Sequence, residues 1–156
     1  MELRTDVIDL WVFVRTDEGP RYLLLHTSQE KAERFFGGGR FWQIPGAFLR
    51  EGEDVVAAIK RVVADLGLEP VHIWAVEHTY LIFNRRLQSL AAIPVFAAEV
   101  RTQAEPRLGW EHSEHDWLSA VDCYPRLSFR GLREGLDWTR REISEQESPR
   151  AEFLLA

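Results

Sequence analysis

Arg61 and Asp65 have the residue types and spacing for handling a phosphate or a hard cation. On a helix, Asp54, Ala58, Arg61 and Asp65 recur every three or four residues and fall on one stripe, beside an apolar stripe of Val55, Ile59, Val62 and Leu66 that Val56 and Val63 widen. Side chains at that edge are held by packing and still meet solvent. Asp65 could then supply an oxygen ligand to a cation such as Mg²⁺, which wants near-octahedral oxygen coordination. The alternative is an ion pair with Arg61 one turn earlier, worth a few tenths of a kcal/mol at a surface. Arg40, at the base of the Gly37-Gly38-Gly39 loop, reads as a phosphate or base contact or as a solvated arginine, and Trp42 as core or as a ring that stacks on a base or sugar. No Gly-Lys-Ser/Thr follows the glycines, so this is not a phosphate loop of the GxxxxGK[ST] kind.

The elements that must position these residues can be read in order. Val7 to Val14 is a β-branched and aromatic strand, Thr16 to Pro20 a turn, and Arg21 to Thr27 the returning strand of a hairpin. Ser28 caps a short helical turn through Phe36. Phe41 to Ile44 is a short strand broken by Pro45-Gly46, and a helix opens at Gly52-Glu53-Asp54 and stops at Gly67. Val71 to Phe83 is a long strand or a bent pair. The chain turns at Asn84-Arg85-Arg86 and returns along Gln88 to Val100, with Pro94 as a kink or an edge position. A short strand is expected at His115 to Leu118, a helical turn capped by Ser119, and an amphipathic helix from Phe129 to Ile143 despite two glycines. One domain over residues 1–144 and a tail over 145–156 follow, and Phe153-Leu154-Leu155 of the tail is expected to dock on a partner subunit.

At 156 residues the chain can bury about two thirds of its unfolded surface in a single core. The net charge of −6 and the lack of a long basic run argue against nucleic acid as partner. The lone Cys123 excludes an internal disulfide and a cysteine zinc cluster, and the start MELRTD lacks a basic segment followed by an apolar one. A soluble cytoplasmic protein without a membrane partner is the expectation. His112 and His115 have no further ligands spaced to complete a zinc site.

The stretch Phe41 to Leu68 resembles a Nudix box, G-x5-E-x7-R-E-U-x-E-E-x-G-U with U aliphatic. Gly46 fits the first of the paired glycines with Ala47 in place of the second, Glu53 fits the loop glutamate, and Gly67-Leu68 fits the end. Between Glu53 and Gly67 the chain is one residue short. Anchoring on Gly67 puts Lys60 at the family arginine, Arg61 and Ala64 at two glutamates and Asp65 at the last; anchoring on Glu53 puts Arg61 at the arginine and Val62 at a glutamate. Either way most metal-binding carboxylates are missing. Trp110 to Leu118 (WEHSEHDWL) is similar to the E-H-x-x-x-x-W-L segment of the dATP and dihydroneopterin triphosphate pyrophosphohydrolase type, which implies that Glu111 holds metal or acts as base; otherwise Glu111 belongs to a solvated loop.

The resemblance implies an α/β sandwich with a mixed sheet and a helix on each face, an α/β (α+β) architecture. It further implies cleavage of a pyrophosphate linkage in a small-molecule nucleotide by metal-activated water. Mg²⁺ or Mn²⁺ would lie at Asp65 and Glu111, helped by Glu53, with Arg40, Lys60 or Arg61 on the phosphate and Trp42 on the base. A homodimer is a further expectation. The alternative that the missing glutamates raise is a silent domain of the same fold that binds a nucleotide or a protein partner.

Overall fold

Strand β2 (Val7–Thr16) sends alternate side chains to opposite faces, and both faces are core. Ile8, Leu10, Val12 and Val14 join one buried cluster, while Trp11 and Phe13 join another. A strand buried on both faces needs a cover on each, so the fold must be three layers. The computed structural model describes residues 1–156, which form a mixed eight-stranded sheet between helices.

Strand β1 is Leu3–Arg4, β3 is Gly19–Thr27, β4 is Trp42–Gln43 and β5 is Gly46–Phe48. Strand β6 (Pro70–Asn84), β7 (Ser89–Val100) and β8 (His112–Leu118) complete the sheet. β2 runs parallel to β7 and antiparallel to β3; β6 pairs with β7, β8 with β3 and β5 with β2. Helix α1 spans Gln29–Phe35 and α2 Val55–Asp65, and α3 is Ala120–Cys123. Helix α4 (Arg130–Thr139) continues into a π-helical turn over Arg140–Ser144. Ala58, Ile59, Val62 and Val63 of α2 cover one face; Ala120, Cys123, Leu132 and Leu136 of α3 and α4 cover the other. No helix is long and apolar enough to cross a membrane.

The expected hairpin and the expected helix after Asp54 are present, with Asp54 as N-cap accepting from the Ala57 amide at 2.8 Å. Other elements differ for local reasons. The Phe41 to Ile44 strand shrinks to Trp42–Gln43, and the three residues after Pro45 pair with β2 instead. Gly46 lies opposite Asp9, where a Cβ would stand 2.8 Å from the Ile8 carbonyl oxygen, so the glycine permits the close strand approach. β6 is one strand with an irregularity between Ala75 and Thr79, where Glu77 takes φ 61°. Pro94, which has no N–H to donate, faces Thr79 at the end of that irregularity. β8 begins at His112 rather than at His115, because pairing with β3 satisfies its backbone despite the polar run.

The tail does not wait for a partner. Leu155 N–H donates to the Ile73 carbonyl at 2.8 Å and Ile73 N–H to that of Ala156 at 2.8 Å, so the last residues add to the edge of β6 within the same chain. This covers an edge that would otherwise be open.

Gly131, in the first turn of α4, packs so closely on Tyr80 of β6 that a Cβ there would meet the ring at 2.2 Å. Alanine ordinarily favours a helix over glycine by about 1 kcal/mol. Here the overlap should win, and Gly131→Ala is expected to lower stability by about 1–3 kcal/mol in urea denaturation; a gain in stability would show that the ring is free to move away.

Candidate functional site

The loop before α2 is tied to the helix by one arginine. Arg61 donates through Nε to Glu53 Oε2 at 2.8 Å and through Nη2 to Glu53 Oε1 at 2.7 Å, and Nη2 also reaches the Phe48 carbonyl at 3.1 Å. Two parallel charge-assisted bonds match a planar guanidinium to a carboxylate. The hydrogen bonds from Arg61 are the main cause that holds the Glu53 carboxyl down at about 2, and Glu53 in turn raises the pKa of Arg61. The alternative Arg61–Asp65 ion pair is therefore not what forms: Arg61 turns to Glu53, and Asp65 makes no ion pair. Asp65 instead lines a cavity of about 450 Å³ with Arg61, Arg107 and His112, while Lys60 opens on a different cavity with Glu69 and Arg101.

Glu111 also sits between cations. Arg86 Nη1 donates to Oε1 at 2.6 Å, and Lys31 Nζ lies 3.5 Å from Oε2. Burial pushes the carboxyl pKa up, but the charge of Lys31 and the hydrogen bond from Arg86 together outweigh it and leave the group below its usual value. Burial also lowers the pKa of Lys31, against the pull of Glu111. Arg86 stands over the rings of Phe35 and Phe48, with its guanidinium 5.1 Å and 5.9 Å from their centroids, which locates its charge between α1 and β5. His112, hydrogen-bonded to Gln43, is held neutral, with burial pushing its pKa down to about 4.

Arg40 is committed to structure as well. Its guanidinium donates to the Thr27 carbonyl at 2.8 Å, to Ser113 Oγ at 2.5 Å and to Glu114 at 2.7 Å, which bridges β3 and β8. Trp42 stacks on His26 at 4.5 Å, with the Arg126 guanidinium 4.8 Å from its ring.

A divalent metal needs several oxygen ligands that converge and are not already neutralised. Both oxygens of Glu53 are on Arg61, those of Glu111 are on Arg86 and Lys31, and Asp65 is the lone carboxylate of its cavity. No three histidine, cysteine, aspartate or glutamate side chains gather in a group that could hold a metal ion. The residues present do not fit Mg²⁺ or Mn²⁺.

A second cavity, of about 270 Å³, opens beside this cationic cluster. Phe36, Phe41 and Phe129 form its wall, with Phe41 edge-on to the other two at 4.7 Å and 4.9 Å. Arg85 and Arg86, on the turn between β6 and β7, stand at its polar side, and Asp9 lines it too, accepting a hydrogen bond from the Tyr80 hydroxyl. Burial is the larger influence on Asp9, pushing its carboxyl up to about 6 against the Tyr80 hydrogen bond, which lowers it. Sequence reasoning passed over Asp9, Lys31, Arg86 and Arg107. The signal for Asp9 was present as a single charge inside the apolar run VIDLWVFV; the other three carry no local signal.

A family model described as NUDIX domain matches residues 7–139. A protein named octanoyltransferase from Myxococcus xanthus is 32% identical over 98 residues, which are 62% of this chain and 28% of that protein. The chain therefore spans well under a third of that relative's length. Among solved structures, one described as a NUDIX hydrolase from Listeria monocytogenes superposes with a TM-score of 0.75 at 16% identity, covering 94% of this chain and 99% of the other. The NUDIX domain of Shewanella oneidensis NrtR, complexed with ADP ribose, gives 0.70 at 18% identity over 90% and 89% of the two chains.

Two carboxyls should give the fold opposite responses to acid. Glu53 has a folded pKa below its ordinary 4.5, so its contribution is complete above that value and lost as pH falls towards 2. Asp9 has a folded pKa raised above 3.8, so stability linked to its protonation is present below that value and lost as pH rises through about 6. Thermal denaturation of Asp9→Asn is expected to show a higher midpoint than the parent at pH 8 and convergence near pH 4; an equal difference at both would mean that the carboxyl is not perturbed. Glu53→Gln is expected to flatten the loss of stability below pH 4.5.

Proposed function

Since the chain belongs to the NUDIX domain family, whose hydrolases generally cleave nucleoside diphosphate-linked substrates, we propose that it keeps the nucleotide and gives up the metal. The base lies in the cavity walled by Phe36, Phe41 and Phe129, and the phosphates meet Arg85 and Arg86 at its edge. Flat aromatic walls suit a planar ring, and guanidinium forks suit phosphate oxygens. The observation that carries this reading is the Arg61–Glu53 pair, because it places a cation where the family box carries metal-binding carboxylate and neutralises the nearest glutamate. A phosphate can then be met by protein cations alone. The ADP ribose held by the Shewanella NUDIX domain is consistent with such a ligand class. So is the octanoyltransferase match, where a similar stretch forms part of a protein named for other chemistry.

Hydrolysis is the second reading, and family membership favours it. Glu111 and Asp65 would hold Mg²⁺ or Mn²⁺ with help from Glu53, and Arg40, Lys60, Arg61 and Trp42 would take the phosphate and base. It requires Glu111 to part from both Arg86 and Lys31, and Glu53 from Arg61.

The test is calorimetric titration with nucleoside triphosphates and nucleoside diphosphate sugars, with EDTA or with Mg²⁺ or Mn²⁺, alongside an assay for phosphate products. Binding that persists in EDTA, no product, and a loss of roughly tenfold in affinity for Arg86→Ala are expected. Metal-dependent product release that disappears in Glu111→Gln would establish the hydrolase instead.

A further inference from the structure

Asp9 is a carboxylate with no cation. Arg61, Arg86 and Arg40 each pair with a glutamate, and no lysine, arginine or histidine pairs with Asp9. Its one partner is the Tyr80 hydroxyl, which donates to Oδ2. It occupies a position of β2 whose neighbours on the same face, Trp11 and Phe13, are completely buried, and it lines a cavity whose other walls are largely apolar rings. A carboxylate held there without a counter-charge costs stability, and such a group in a cleft marks a place where a ligand completes the hydrogen bonding.

The geometry says what the ligand must bring. An ionised carboxylate only accepts, and with one lone pair of Oδ2 taken by Tyr80 it still has acceptor sites on both oxygens. A flat ring that packs against the wall of Phe36, Phe41 and Phe129 and carries two adjacent N–H donors would fill them. Among the common bases guanine has this edge, a ring N–H beside an amino group; adenine presents a ring acceptor beside its amino group. Tyr80 is fixed for the task by Gly131, on which its ring lies too closely for any larger residue.

We propose that Asp9 is the specificity-determining residue of the cavity and that it selects the N1–H and 2-amino edge of guanine, so that guanine nucleotides bind in preference to adenine nucleotides. The assignment rests on the nucleotide reading above and narrows it to one base.

The experiment is calorimetry on the full chain at pH 8, where the carboxyl is ionised, with GDP, IDP and ADP as probes. GDP is expected to bind roughly tenfold or more tighter than ADP, with IDP, which lacks the amino group, in between. Because the IDP comparison uses the unmodified protein, it does not depend on a variant's folding. Asp9→Asn is expected to lose roughly tenfold for GDP while ADP changes little, and Tyr80→Phe to weaken GDP by a smaller factor. Equal affinity for GDP and ADP, both weakened by Arg86→Ala, would overturn the role of Asp9 and leave the nucleotide reading standing. Equal losses for GDP and ADP in Asp9→Asn would make the residue structural. If none of the three binds the unmodified protein, both readings fall.

Discussion

The parallel pairing of β2 with β7 is the constraint on which the rest of the molecule depends. Asp9 to Val14 meet Val95 to Val100 one for one, and β3 closes the other side of β2. Held between neighbouring strands on both edges, β2 can bury both faces, and its alternation divides the core into the α2 side and the α4 side. Parallel neighbours cannot be joined by a tight turn, so the chain between them must cross over. That crossover contains α1, the glycine-containing loop and α2, and these elements hold most of the charged residues of interest.

Around that crossover the electrostatics run against metal chemistry. Guanidinium and ammonium groups occupy the two glutamates that the resemblance offers as ligands, and each pair is at least half shielded from solvent. Breaking one would leave a partly buried charge without its partner, which costs more than forming such a pair gains. Arg61 also reaches the Phe48 carbonyl, so the pair locks the loop to β5 as well as to the helix. Arg86 joins the aromatic cavity to the charged cluster, since it lines that cavity and holds Glu111.

The aromatic cavity has a different logic. Phe36 follows α1, Phe41 follows the glycine loop, Phe129 precedes α4, and Arg85 and Arg86 turn between β6 and β7. Three stretches far apart in sequence, around Phe36 to Phe41, at Arg85-Arg86 and at Phe129, thus build one cavity. Asp9 and Tyr80 come from β2 and β6, which both pair with β7. Their hydrogen bond spans the width of that strand, and Gly131 of α4 presses the tyrosine ring into place. A chain of close contacts therefore runs from the helix layer to a single carboxyl.

Much of this was legible in the chain itself. The β-branched and aromatic run of Val7 to Val14 with its turn and returning run Arg21 to Thr27, helical periodicity with Asp54 and Gly67 at its ends, and the partial box around Glu53 foretold the hairpin, α2 and the family. These are local signals, because hydrophobic period and capping chemistry act over a few residues. The two-residue β1 and three-residue β5 had no period to show, and they exist because longer strands offered them an edge. The choice of Glu53 over Asp65 by Arg61, the enclosure of Glu111 by Arg86 and Lys31, the return of the tail to β6 and the joining of Asp9 to Tyr80 were decided only in three dimensions. Each depends on which of several near-equivalent partners lies within hydrogen-bond reach, and for Lys31 and Glu111 or Asp9 and Tyr80 those partners are some seventy to eighty residues apart along the chain. Spacing in sequence sets what a side chain is able to do; only packing sets which neighbour it does it with.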